Sequence, residues 1–314
     1  MEISKELLIR DIKDLKELNS IDKLFLFFTS AQGDAEYCEE AKQCYKELKW
    51  NQSPFYDVIN SFWITFSYAM HLKYPKEYPI AEAGNVKIYK NHYKKYDSFP
   101  EKYFKENSGA RNRVTALCKE YTDMKELAEL CHTVANFMPC PQGFNSAKGL
   151  LSDVRDYFPL MIDKIQECVD EGLNLKYSNT SEEVDNETIK KWHSFFIENQ
   201  EKYCLSMYYK IEDKKIVGNP FFKGQNFSHP YPTNNDELKM CLETIKKNIN
   251  NRADLLFDKY SKGLKSNKLS FSIRRKELKL FFDESGYSGC IMPNKNGQLF
   301  NDGQRHFVLG SVFV

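Results

Sequence analysis

Two hydrophobic periods divide this chain unequally, and that division constrains its fold more than any other feature. Up to about residue 266, apolar side chains recur every three or four positions, the spacing that gives a helix one buried face. Met124, Leu127, Leu130, Cys131 and Val134 form one such stripe, and Leu151, Val154, Phe158, Met161, Ile162, Ile165, Cys168 and Val169 a second. A third, Leu238, Cys241, Leu242, Ile245, Ile249, Leu255, Leu256 and Tyr260, belongs to a long helix. After Ser261–Lys268, a short basic segment with Gly and Ser, the pattern becomes that of strands. Leu278–Phe282 alternates, and Phe307–Val314 is a continuous apolar run suited to a strand buried on both faces. The expected fold is mainly α: a helical body over residues 1–265, then a β-hairpin within 266–314.

Turn and cap residues divide the helical body further. Helices are expected over Glu36–Lys49 and over Phe55–Leu72, where Pro54 suits a first turn because it has no amide hydrogen to lose. Pro75, Pro79, Gly84 and Pro100 break the next stretch, with a short strand at Val86–Tyr89. The Asp123–Ala135 helix stops near Pro139, a Pro-Gly-Asn loop runs from Pro139 to Asn145, and Pro159 kinks or divides the second stripe. Residues 174–187 read as a polar loop, with Asp185 or Asn186 capping a helix from Glu187 to Tyr209. An irregular stretch follows, packed down by Phe221, Phe222, Phe227 and Tyr231, until Asn235 caps the long helix, which runs to about Gly263.

Charge and composition exclude several classes. With 45 basic and 44 acidic residues the bulk charge favours neither nucleic acid nor an anionic membrane, so any such surface is local. The nine cysteines are scattered without paired CxxC spacing, which argues against a disulfide framework. The start, MEISKELLIRDIKDLKEL, lacks the apolar core of a secretory signal, and no stretch of 18 uncharged apolar residues exists. A cytoplasmic protein with no membrane partner is expected.

The segment LKLFFDESGYSG ends a strand in Asp283-Glu284 and turns at once through Ser285-Gly286. With the following FVLGSVFV, it resembles the opening of an RNase H-like family of uncharacterised bacterial and phage proteins: hydrophobic strand, Asp-Glu-Ser-Gly, then a Phe-, Val- and Gly-rich strand. The resemblance covers residues 278–314. It implies a metal-dependent nuclease or related phosphoryl-transfer protein, associated with phage defence or mobile elements. In that chemistry hard carboxylate oxygens hold Mg²⁺ or Mn²⁺, which activates water and stabilises the leaving oxygen. Asp283 would be the metal ligand and catalytic residue. Glu284 ranks behind it, because strand neighbours point to opposite faces. Gly286 would let the chain turn beside the metal. The other carboxylates of such a centre come from later strands, so the expectation is an incomplete RNase H-like α/β domain. It would be inactive and unable to hold metal tightly by itself, its missing half lost or supplied by a second chain. The competing reading of the tetrapeptide is an ordinary turn in which Asp and Ser bond their own backbone.

Ser261–Lys279 holds seven Lys or Arg and one acid, Glu277. Arg274, Arg275 and Lys276 are its densest cluster, either a phosphate-contacting surface for nucleic acid or a solvated linker. In the helical body, the segment around Asn136-Phe137-Met138-Pro139 weakly resembles an uncharacterised helical, phage-associated family with an Asn-Phe-Met-x-x-Pro pattern. Asn136, Asn145, Lys148 and Arg155 would then line a polar binding pocket. Alternatively Asn136 caps a helix that Pro139 stops. A helical binding or regulatory module with a C-terminal docking hairpin is therefore the second functional reading. Cys131, His132 and Cys140 lack zinc-finger spacing, and buried thiols explain the cysteines better.

Overall fold

The computed structural model describes residues 3–10, 35–60, 62–80, 108–120, 123–151, 157–176, 183–221, 231–267, 279–283 and 308–312. The expected strand at Val86–Tyr89 lies outside them. The fold is mainly helical with small antiparallel hairpins. Backbone proximity divides the chain into two compact units, Met1–Gly263 and Leu264–Val314.

The first unit opens with α1 (Lys5–Leu8), a 3-10 turn at Ala35–Tyr37 and α2 (Glu39–Glu47). Next comes a departure from the expected helix over Phe55–Leu72. Tyr56–Val58 is a strand, β1, and the helix, α3, runs only from Phe62 to Lys73. The cause is non-local: β1 pairs antiparallel with β2 (Phe137–Pro139), Tyr56 opposite Pro139 and Val58 opposite Phe137. Every residue from Thr65 to Met70 is buried, so this part of α3 is covered on all sides, while His71–Lys73 are half-buried.

The helices α4 (Ser108–Glu120) and α5 (Asp123–Cys131) follow. α5 ends earlier than its stripe suggested, because Val134–Asn136 tightens into a 3-10 turn before β2. The second stripe divides into α6 (Phe144–Leu151) and α7 (Phe158–Glu171), with Pro159 in the first turn of α7 and Gly172, at φ 68°, closing it in the left-handed region. The expected loop at 174–187 contains a two-residue hairpin, β3 (Leu175–Lys176) with β4 (Glu183–Val184).

Asp185 caps α8 (Asn186–Asn199) by accepting a hydrogen bond from the Thr188 amide. α8 stops ten residues short of Tyr209, the expected end. The chain there turns into a second unforeseen hairpin, β5 (Tyr209–Glu212) with β6 (Lys215–Gly218). Asp213 and Lys214 form its two-residue turn at φ 49° and 64°, a type I′ geometry built without glycine. The outward amides of β6 are satisfied by α7: Ile216 N donates to Gln166 Oε1 and Gly218 N to Asp163 Oδ1, both at 2.7 Å. These contacts cover the edge of the hairpin. The last helix, α9 (Asn235–Asn267), is capped by Asn234, one residue earlier than expected, through its Oδ1 and the Glu237 amide.

One core joins these elements. Phe144, Phe158, Trp192, Phe196, Tyr208 and Tyr209 meet in edge-to-face contacts with centroids 5.2 to 6.3 Å apart. In the second unit, β7 (Lys279–Asp283) pairs antiparallel with β8 (Val308–Val312), Lys279 opposite Val312 and Asp283 opposite Val308.

Candidate functional site

Several buried polar residues of the helical unit lie around the junction of β1, β2 and the 3-10 turn before β2. The side chain of Asn136, fully buried, makes all four hydrogen bonds open to an amide. Its Oδ1 accepts from Asn60 N at 3.1 Å and Asn60 Nδ2 at 2.9 Å. Its Nδ2 donates to Asn60 O at 2.9 Å and to Cys131 O, at the end of α5, at 2.8 Å. Asn136 is thus not the terminal residue of the helix, as the local reading had it, because α5 ends at Cys131; its side chain instead bonds the last carbonyl of α5 and clamps the chain just ahead of α3. Asn60 Nδ2 continues the network to the Tyr208 hydroxyl at 3.3 Å.

Arg252 of α9 bonds the backbone on both sides of Asn136. Its Nη1 donates to the carbonyls of Ala135 and Phe137 at 2.6 and 2.8 Å, its Nε to Tyr203 O at 3.0 Å, and its guanidinium lies 5.4 Å from the Trp50 ring centroid. Three carbonyls and an aromatic face stand where a carboxylate would be expected for a fully buried cation. Burial lowers the Arg252 pKa, and its Nη2 has no hydrogen-bond partner among the described residues.

Lys148, on α6, is buried and donates to Asp57 Oδ1 of β1 at 2.7 Å, with side-chain exposures of 5% and 2%. The same Oδ1 accepts the Val58 amide at 2.8 Å. Cys140, the residue after β2, is also buried; burial chiefly pushes its thiol pKa up, with Asp57 adding to the shift and Lys148 opposing it. Burial raises Cys131 likewise, so both thiols stay protonated and weakly nucleophilic at neutral pH. The Tyr208 hydroxyl is pushed up to about 12 by burial and stays neutral.

The structure thus draws Asn136 and Lys148 into interior bracing, and leaves Asn145 exposed on the first turn of α6. Arg155 lies outside the described residues, as do Glu284, Arg274, Arg275 and Lys276. Asp283 is the last residue of β7. Among the described residues no group of three or more His, Cys, Asp or Glu side chains gathers to hold a metal. Among the same described residues, no helix is long and apolar enough to cross a membrane.

Three residues of this junction escaped the sequence reading: Asp57, Asn60 and Arg252. Two had a visible signal. Asp57 is an acid inside an aromatic run, and Arg252 sits three residues after Ile249 and four before Leu256, on the apolar stripe of α9. No family model, no curated protein and no solved structure matches the chain.

Proposed function

We propose that the chain joins an internally braced helical unit to the opening hairpin of an RNase H-like sheet, the nucleating part of a metal-dependent nuclease or phosphoryl-transfer protein. The observation that carries this reading is the register of β7 and β8. The two strands pair antiparallel, and Asp283 closes β7 where the Asp-Glu-Ser-Gly tetrapeptide begins. In this reading Asp283 supplies one oxygen donor, and the remaining donors come from residues outside those described or from a second chain. Arg274, Arg275 and Lys276 contact the phosphates of a nucleic acid, and the protein serves in phage defence or on a mobile element. The alternative, a helical binding module built on Asn136, Asn145, Lys148 and Arg155, has less support, because Asn136 and Lys148 hold interior partners.

The test uses the whole chain, wild type and Asp283→Asn, with labelled DNA and RNA in Mg²⁺ or Mn²⁺, together with Mn²⁺ binding followed by electron paramagnetic resonance. Weak Mn²⁺ binding that falls in Asp283→Asn is expected. Metal-dependent cleavage that persists unchanged in that variant, or Mn²⁺ binding indifferent to it, would sink the assignment of Asp283.

A further inference from the structure

We draw no further inference here: the strongest candidate, the buried Arg252 guanidinium between α9 and the 135–137 segment, leaves Nη2 without a partner among the described residues, but nothing in the structure shows what ligand would meet it.

Discussion

Replacing Lys148 by methionine keeps the length of the side chain but removes the ammonium that faces the buried Asp57 carboxylate, whose Oδ1 also accepts the Val58 amide. Exposures of 2% for Asp57 and 5% for Lys148 mean that bulk water does not replace the lost ammonium. Breaking such a pair costs about 3–5 kcal/mol, because an uncompensated charge stays buried. A domain is stable by only about 5–15 kcal/mol, so this one substitution removes a large share. Asp57→Asn in the same background removes the buried charge and keeps an acceptor for Val58. The double variant should therefore recover about 2–3 kcal/mol relative to Lys148→Met alone. Urea unfolding of the whole chain, followed by tryptophan fluorescence, reads this directly, since Trp50 and Trp192 are both buried in the unit that holds the pair. The reasoning fails if Lys148→Met lies within about 1 kcal/mol of wild type, or if the two substitutions are simply additive.

Three further outcomes follow from the β5–β6 hairpin and its seat on α7. At Gly218 an added methyl would collide with the Pro159 carbonyl, so Gly218→Ala should cost about 1–3 kcal/mol, seen as a lower urea midpoint; an unchanged midpoint would mean that β6 does not pack on α7 as described. Lys214 adopts φ 64°, which glycine tolerates better, so Lys214→Gly should stabilise by roughly 0.5–1 kcal/mol, and a lower melting temperature would contradict the turn geometry. The Asp163 carboxyl is raised by burial, against the opposing hydrogen bond from Gly218 N, so the folded state holds its proton to higher pH than the unfolded chain. Wild-type stability from this group therefore rises as pH falls through the raised pKa, and above it the buried charge is a constant cost. Asp163→Asn, whose Oδ1 can still accept from Gly218, should match or exceed wild type at pH 7, with the gap narrowing in acid; melting curves across pH decide it, and a variant weaker at pH 7 refutes it.

Features encoded within a few residues were legible before any coordinates. Asp185 as one of two candidate caps, Pro159 as a divider of its stripe and the stripe of α9 all depend on neighbours three or four positions away, where backbone hydrogen bonds and side-chain faces are set locally. Two of the misread segments depend on distant partners. Phe55–Leu72 carries enough aromatic residues for one helix, yet Tyr56–Val58 pairs with a strand about eighty residues later, and pairing outweighs weak local propensity. The β5–β6 hairpin lacks the Asn-Gly signal that would announce its turn, and its edge is held by Asp163 and Gln166 of another helix.

The same division runs through the candidate sites. Asn136 and Lys148 stood out in the sequence as polar residues near a Pro-Gly loop, and their types alone were compatible with a pocket. Tertiary structure decided that they face Asn60 and Asp57, which no spacing rule connects to them. The sequence by itself determined a mainly helical chain that turns to strands near its basic segment, because periodicity and capping are local properties of the backbone. Only the tertiary structure decided which buried polar groups meet, because a hydrogen-bond partner is chosen by position in space rather than by position along the chain.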